Sequence, residues 1–258
     1  MDVSFIGSGN LAWHLAPALD NAGYVVREVY SQNPKHAAAL TERLYQAEVK
    51  ASLDFSTSRS NLFVICVSDS AIRDVVTEMI LPEDSILVHT SGSMPLSLLD
   101  LAASSATGVI YPLQTFSKHK KVEFRNVPFF IESNDPETEI LLMGIAKALS
   151  VNVRKITSDE RQALHVAAVF ASNFSNYMLT LSKDILQENS MDFDLVKPLI
   201  QETIQKVLTI GPELAQTGPA MRGDLETLDQ HLEALKDKEH LLSVYKLLSQ
   251  QIIDRYQG

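Results

Sequence analysis

The strongest constraint on the fold lies in the first twelve residues. An apolar stretch over residues 3–6 runs directly into Gly7-Ser-Gly9-Asn-Leu-Ala12, where a helical pattern begins. Behind a strand and before a helix, this spacing is the fingerprint of a dinucleotide-binding turn. Gly7 permits the tight turn, Gly9 lets a pyrophosphate approach the backbone, and Ala12 lets the helix pack closely. The helix N-terminus offers unpaired N–H groups to the phosphates. The alternative is a glycine turn that binds nothing. The predicted contacts are Gly7, Ser8, Gly9, Asn10 and Leu11.

Composition excludes several classes of protein. The chain has 258 residues, 45% of them apolar, and a single cysteine, Cys66, so an intramolecular disulfide is impossible. We find no signal-peptide pattern and no apolar run of membrane-spanning length. The net charge is −10, and we interpret the one basic cluster, residues 118–121, as a solvated loop. Zinc-type cysteine and histidine spacing is absent from the sequence. We therefore expect a cytoplasmic protein without metal, membrane or nucleic-acid partners.

Alternation of short apolar stretches and helical segments predicts an α/β fold with a doubly wound, mostly parallel sheet. The expected strands are Val3–Ile6, Tyr24–Tyr30, Leu62–Val67, Ile86–His89, Val109–Tyr111, Pro128–Glu132 and Val153–Ile156. The expected helices between them are Asn10–Asn21, Pro34–Leu44, Ala71–Met79, Pro95–Ala103 and Pro136–Leu149.

Strand patterns stop at Thr157, which forms a capping box with Glu160 at the start of a long helix. Helical patterns then cover 159–187, 194–209, 224–236 and 239–255. The sequence thus predicts an N-terminal Rossmann domain over residues 1–156 and an all-α C-terminal domain over residues 157–258 that binds substrate and dimerises.

The end of the second predicted strand indicates which dinucleotide is bound. Sites that prefer NAD carry an acidic residue here for the ribose 2′-OH, and residues 30–34 contain none. Hydrogen-bonding side chains and one lysine stand there instead, which favours a 2′-phosphate and therefore NADP. The alternative for the lysine is an exposed position in the next helix. The predicted contacts are Ser31, Gln32, Asn33 and Lys35.

The sequence also resembles a known family. Residues 3–12 and Tyr30-Ser-Gln-Asn-Pro34 are similar to the N-terminal domain of pyrroline-5-carboxylate reductase and to the wider 6-phosphogluconate dehydrogenase-like superfamily. The segments Leu164–Asn173 and Thr217–Asp224, with His231-Leu232, resemble Rossmann-like NADP oxidoreductases with an uncharacterised C-terminal helical domain. The resemblance implies NADP binding and a homodimer through the helical domain. The glycine- and threonine-rich signature of the true reductase is missing, so proline synthesis is not implied.

Ligands of doubly wound sheets bind at the carboxyl ends of the strands. Val67, Ser68 and Asp69 follow one strand and are predicted on the nicotinamide side, although Ser68 and Asp69 could equally cap the next helix. Ser91 lies in a small, hydroxyl-rich loop after the strand that ends at His89, and could hold a carboxylate or the nicotinamide amide. The alternative is a turn that caps the following helix.

Polar residues also interrupt the apolar centre of the helix predicted over 159–187. At about 100° per residue, His165, Ser172 and Asn176 fall on one face, with Asn173 to the side. We expect a buried helix, in which such side chains need partners. Histidine can donate a proton near neutral pH, so His165 is the predicted proton donor or substrate-positioning residue, with Asn173 beside it. A structural histidine is the alternative.

Arg222 lies between small residues in the loop that precedes the helix capped by Asp224. A guanidinium can clamp a carboxylate or phosphate with two hydrogen bonds, so Arg222 is the predicted site for a substrate anion. By resemblance, this loop acts across a dimer. The alternative is a turn that Arg222 only stabilises.

These features together predict an NADP-dependent oxidoreductase. We expect hydride transfer between nicotinamide and a small polar substrate, an imine or a keto or hydroxy acid, in the cleft between the domains. One alternative is a non-catalytic NADP-binding sensor or scaffold. Another is a dehydrogenase similar to the prephenate or hydroxyacid enzymes, although the lysine signature of the hydroxyacid branch is missing.

Overall fold

The structure is a computed structural model that describes residues 1–257. Its strands form one sheet in the order β3-β2-β1-β4-β5-β6-β7-β8. Only the β6–β7 pair is antiparallel within the described chain. The predicted fold class is therefore confirmed. The strands are β1 (Asp2–Ile6), β2 (Val25–Tyr30), β3 (Glu48–Lys50), β4 (Leu62–Ile65), β5 (Ile86–His89), β6 (Ala106–Pro112), β7 (Phe129–Ser133) and β8 (Val153–Lys155).

Helices lie between the strands and make up the C-terminal region. They are α1 (Asn10–Asn21), α2 (Pro34–Thr41), α3 (Asp69–Glu78), α4 (Pro136–Leu149), α5 (Ser158–Ala168), α6 (Ser175–Glu188), α7 (Lys197–Ile210), α8 (Pro212–Ala215), α9 (Pro219–Arg222), α10 (Leu225–Ala234) and α11 (Glu239–Tyr256). Short 3₁₀ segments cover Leu96–Leu101, Phe124–Asn126 and Phe193–Val196. Among the described helices, none combines the length and apolar character needed to cross a membrane.

Three element predictions are wrong in detail. The edge strand β3 was not predicted, because its three residues, Glu-Val-Lys, carry no apolar alternation. The helix predicted over Pro95–Ala103 is a 3₁₀ segment. The long helix predicted over 159–187 is interrupted by a π-helical turn at Val169–Phe174, so a constant advance of about 100° per residue does not hold through it.

The chain forms two compact units, Met1–Asn173 and Phe174 to the C-terminus. The sheet unit thus includes α5 and most of the π turn, and the division falls inside the helical stretch that starts near residue 157. The roles predicted for the two units, cofactor binding in one and substrate binding with dimerisation in the other, stay predictions.

Both faces of the sheet are covered by helices, which explains why the central strands are continuously apolar. All four residues of β4 are buried: Val64 packs on the face of α1, α2 and α4, and Phe63 and Ile65 pack on the face of α3. The strand order reverses between β1 and β4. Their carboxyl ends therefore open the crevice in which ligands of this architecture bind.

Candidate cofactor and active site

The turn between β1 and α1 has the backbone of a phosphate-binding loop. Gly7 adopts a φ of +109°, and a Cβ there would lie 2.6 Å from the Cys66 carbonyl oxygen, so a side chain is excluded. Gly9 occupies the N-cap of α1 without a side-chain cap, which leaves N–H groups of the first turn unpaired. A Cβ at Gly9 would meet one atom within 4 Å, the Cys66 oxygen at 3.7 Å. The space above Gly9 is thus open to a ligand, and the loop fits a dinucleotide pyrophosphate.

Three cavities adjoin at this edge of the sheet, since neighbouring cavities share lining residues. We name the first the Gly-loop cavity; its volume is about 710 Å³, and it extends from the glycine turn to the end of β2 and the start of α2. It is lined by Ser8, Gly9, Asn10, Tyr30, Ser31, Gln32, His36, Leu53, Cys66, Val67, Ser68, Ala71, Asp74, Val75, Glu78 and Lys118.

The central cavity, of about 370 Å³, lies next to the Gly-loop cavity and shares Gly9, Asn10 and Ser68 with it. It brings the glycine turn to the strand-end loops of β4, β5 and β6. It is lined by Gly9, Asn10, Leu11, Cys66, Val67, Ser68, Asp69, Thr90, Ser91, Gly92, Tyr111, Pro112, Gln114, Phe116 and His165.

The histidine cavity, of about 520 Å³, shares Tyr111, Gln114 and His165 with the central cavity. Its walls are α5, the π turn and the segment after β6. It is lined by Tyr111, Leu113, Gln114, Thr115, Leu164, His165, Ala167, Ala168, Val169, Ala171, Ser172 and Asn173.

His165 is held at the junction of the central and histidine cavities. The Tyr111 hydroxyl lies 3.1 Å from His165 Nδ1, within hydrogen-bond distance. The imidazole also packs on Gly92, where a Cβ would lie only 2.5 Å from Nδ1. Burial raises the pKa of Tyr111, so the phenol stays protonated at neutral pH and can donate its O–H to Nδ1. Nε2 then remains for a ligand.

A fully buried arginine fixes the loop beneath His165. Arg161, one turn before His165 on α5, donates from Nη1 to the Ser91 carbonyl oxygen at 2.8 Å. Its Nε and Nη2 donate to Glu132 Oε2 of β7 at 3.2 and 2.9 Å. The guanidinium is 0% exposed, so this pairing offsets its desolvation. Ser158 joins the network through its hydroxyl, which donates to Glu132 Oε1 at 2.6 Å.

His89, at the end of β5, is a buried structural histidine. Its Nδ1 accepts the N–H of Ser91 at 3.2 Å, which shapes the same loop. Burial, with a smaller contribution from the Arg161 charge, lowers the pKa of His89 to about 4, so its ring is neutral at pH 7.

The structure separates the residues predicted to read the 2′-phosphate into two groups. Ser31 and Gln32 line the Gly-loop cavity, as does the unpredicted His36. Asn33 and Lys35 do not line it. The Asn33 Oδ1 caps α2 by accepting the N–H of Lys35 at 3.1 Å, which is the local role typical of an N-cap asparagine.

The strand-end residues predicted after β4 and β5 lie together in the central cavity. Ser68 stands at the N-cap position of α3 but makes no capping bond through its side chain. Asp69 instead bonds to the Ser93 hydroxyl, across the two loops. The Ser91 hydroxyl oxygen accepts the N–H groups of Ser93 and Met94 at 3.1 and 3.0 Å, so Ser91 both shapes its turn and faces the cavity.

The π turn changes the prediction for the polar face of α5. Ser172 and Asn173 both line the histidine cavity with His165, whereas a regular helix would turn Asn173 to the side. The expectation of a buried helix is wrong for the single chain, because Val166 is 52% and Tyr177 is 49% exposed. π turns within α-helices are frequent at functional sites.

Arg222 ends α9 in the second unit, and its side chain is 63% exposed. Its guanidinium lies 3.9 Å from the carboxylate of Asp224, which caps α10 by accepting the Thr227 N–H at 3.1 Å. The predicted substrate-anion role of Arg222 stays a prediction.

Sequence reasoning missed three contributors to the site: Arg161, His36 and Lys118. Arg161 could have been found from its position four residues before His165 in the predicted helix, which places both on one face. His36 could have been found because it is the next residue after Lys35, the last of the contacts predicted at the end of β2. Lys118 gives no such signal: residues 118–121 are exposed, as expected of a solvated loop, but Lys118 also lines the Gly-loop cavity.

A Rossmann sheet with an open glycine turn at the carboxyl ends of its strands is the architecture of a dinucleotide-binding protein. Two family models match the chain: NADP oxidoreductase, coenzyme F420-dependent, over residues 2–92, and a domain of unknown function (DUF2520) over residues 127–252. A comparison with curated proteins finds no match.

The chain belongs to the NADP oxidoreductases that carry this C-terminal domain. A Bacteroides fragilis protein assigned as an NADP oxidoreductase is 36% identical, with 98% of each chain covered and a TM-score of 0.91. NADP is thus the cofactor of the family.

Two more distant structures share the fold. A reductive aminase from Aspergillus terreus, in complex with NADPH and ethyl levulinate, is 13% identical over 100% of this chain and 95% of that chain, with a TM-score of 0.73. A pyrroline-5-carboxylate reductase from Coxiella burnetii is 15% identical over 99% and 97%, with a TM-score of 0.58. These likenesses agree with the resemblance seen in the sequence.

Proposed function

We propose that the protein reduces a C=N bond of a small substrate with NADPH. The Gly7–Ala12 turn would hold the cofactor pyrophosphate, the residues of the Gly-loop cavity would hold its adenosine half, and those of the central cavity its nicotinamide. When bound, NADPH supplies the hydride that adds to the carbon of the double bond. One observation carries the proposal: the glycine turn and the His165–Tyr111 pair line one and the same cavity.

His165 is the proposed proton donor. The Tyr111 O–H donates to Nδ1, and this bond fixes the tautomer in which Nε2 carries the proton. As the hydride adds to carbon, Nε2 gives its proton to the nitrogen of the reduced bond while the Tyr111 O–H passes its proton to Nδ1, so the ring stays neutral and solvent then returns a proton to the Tyr111 oxygen. Asn173 and Ser172, which line the same cavity, are proposed to orient the substrate by hydrogen bonds.

The charges of the lining residues favour an imine over a keto acid. Among the described residues, the central and histidine cavities are lined by Asp69 but by no lysine or arginine. The neighbouring Arg161 is buried and already bonded to Glu132. A keto acid would bring a carboxylate without a counter-charge from this unit, whereas an imine or iminium meets no repulsion. The reductive aminase that shares the fold points to the same class of substrate.

The test is steady-state NADPH oxidation with a panel of cyclic imines and 2-keto acids, for the wild type, His165→Ala and the exposed-histidine control His240→Ala. We expect turnover with imines, and a fall in kcat of about 100-fold in His165→Ala, since general acid catalysis typically contributes that much. The affinity for NADPH and the melting temperature should change little.

Two outcomes would contradict the proposal. Equal turnover by His165→Ala and wild type would remove His165 from the mechanism. Tight binding of NADPH without turnover of either substrate class would instead support a sensor or scaffold.

We also infer a homodimer formed through the helical unit. Helix α7 buries no residue within the chain, and Leu199, Ile204 and Leu208 are 66%, 54% and 78% exposed. An uncovered apolar cavity of about 480 Å³ lies in the same unit, between α6, α10 and α11. A second copy would cover both surfaces, because an isologous interface presents the same patches twice. The cytoplasm remains the predicted compartment, in keeping with one buried, unpaired cysteine.

A further inference from the structure

The segment after β6, residues 113–118, passes along all three cavities. We call it the strap. Gln114 lines the central and histidine cavities, and Lys118 lines the Gly-loop cavity. The Ser117 carbonyl oxygen lies 2.9 Å from His14 Nε2 of α1. Lys118 Nζ lies 4.7 Å from the centroid of the Trp13 ring, also on α1. Two contacts with the first helix therefore hold Lys118 beside the glycine turn.

The charges around the Gly-loop cavity make Lys118 important for a phosphorylated ligand. The carboxylate, imidazole and ammonium side chains that line it are Asp74, Glu78, His36 and Lys118. A phosphate monoester carries about −1.5 to −2 charges at pH 7, so two carboxylates would oppose it. Among the described residues, no carboxylate lies within 4.0 Å of Lys118 Nζ, and its charge is available to a ligand.

Lys35, the cation that the sequence predicts for this task, is placed less well. Both lysines are exposed, but Lys35 does not line the cavity and Lys118 does. Asn33, its predicted companion, is engaged as the cap of α2. The end of β2 therefore offers Ser31, Gln32 and His36 as hydrogen-bonding groups, but no permanent cation.

We propose that Lys118 is the residue that selects the 2′-phosphate of NADPH over the free 2′-hydroxyl of NADH. This rests on the proposed cofactor site. The strap delivers the ammonium group from a part of the chain far beyond β2, and the Trp13 ring restricts it by a cation–π contact without neutralising it. Ser31 and His36 complete the phosphate contacts from the other side.

The test is isothermal titration of the full-length protein with NADPH and, separately, with NADH. The variants are Lys118→Gln, Lys118→Arg, the competing Lys35→Gln, and Lys120→Gln as the matched control. Lys120 lies in the same loop, is exposed, and does not line the cavity, so its loss changes the net charge equally.

We expect Lys118→Gln to raise the Kd for NADPH about tenfold, which is the contribution of one charge-assisted hydrogen bond. The Kd for NADH should change less than about twofold. Lys118→Arg should retain most of the preference, and Lys120→Gln should match the wild type.

Equal weakening of NADPH and NADH binding by Lys118→Gln would overturn the proposal, because it would mean that Lys118 contacts the pyrophosphate, which both cofactors carry. A larger selective loss in Lys35→Gln, or no loss in Lys118→Gln, would also overturn it. Failure of the wild type to bind either cofactor would contradict the proposed cofactor site itself, which is a different result from loss of the preference alone.

Discussion

His89 shows how a single buried ring can couple folding to pH. Burial lowers its pKa from 6.5 to about 4, so the unfolded chain binds the proton more readily than the folded one. The stabilisation is complete above about pH 6.5 and is lost as the pH falls towards 4. We expect a loss of about 3 kcal/mol across this window, which corresponds to the shift in pKa.

His89→Asn keeps an acceptor for the Ser91 N–H but cannot take up a proton. Its free energy of unfolding should therefore fall less between pH 7.5 and 4.5 than that of the wild type, as measured by urea denaturation at each pH. The exposed His119→Asn serves as the control and should keep the wild-type slope. An identical slope in all three proteins would show that His89 does not cause the pH dependence.

Residues whose role is local could be predicted from the sequence. The conformation of Gly7 follows from its place between a strand and a helix, and the structure reproduces it. His165 was identified because a polar side chain in an apolar helix needs a partner, and Tyr111 is that partner. Lys118 and Glu132 were not identified, because their positions depend on which strands become neighbours, and no local pattern encodes that.

At the scale of elements, Arg161 joins three parts of the sheet unit: α5, β7 and the loop after β5. Arg161→Met removes one partner of a buried ion pair and leaves Glu132, whose side chain is 13% exposed, without its cation. We expect the free energy of unfolding to fall by about 3–5 kcal/mol, because an unpaired buried charge is costly. Urea denaturation measures this.

The exposed Arg154→Met is the matched control for Arg161→Met and should stay within about 0.5 kcal/mol of the wild type. The double variant Glu132→Gln with Arg161→Met should recover part of the loss, because it removes the orphaned charge as well. Equal effects of the two single arginine variants would argue against the network.

The bounds of whole elements were predictable where caps are strong. Asp135 accepts the N–H of Thr138, and α4 covers Pro136–Leu149 as predicted. The capping box of Thr157 and Glu160 likewise begins α5 near its predicted start. The π turn at Val169–Phe174 was not predictable, because one widened turn leaves the apolar spacing of the sequence almost unchanged.

At the scale of the molecule, the helical unit is expected to be stable as part of a dimer. Leu208→Glu places a charge on the exposed apolar face of α7, where Leu208 is 78% exposed in the single chain. We expect the variant to shift the protein from dimer to monomer at micromolar concentration, as measured by sedimentation velocity, because burying an unpaired charge is unfavourable.

Gln205→Glu adds the same charge at an exposed polar position of α7 and should remain dimeric. A wild-type protein that sediments as a monomer at tens of micromolar would contradict the dimer. The sequence predicted a dimer only by resemblance, because apolar helix faces look alike whether they pack inside one chain or between two.

Trp13 has a consequence for how the protein can be observed. It is the one tryptophan of the chain, in the first turn of α1 beside the glycine turn, with the guanidinium of Arg43 4.2 Å and the ammonium of Lys118 4.7 Å from its centroid. Indole emission overlaps the absorption of dihydronicotinamide. The unlabelled protein thus carries its own optical probe. The fluorescence of this single ring reports whether the neighbouring crevice is filled.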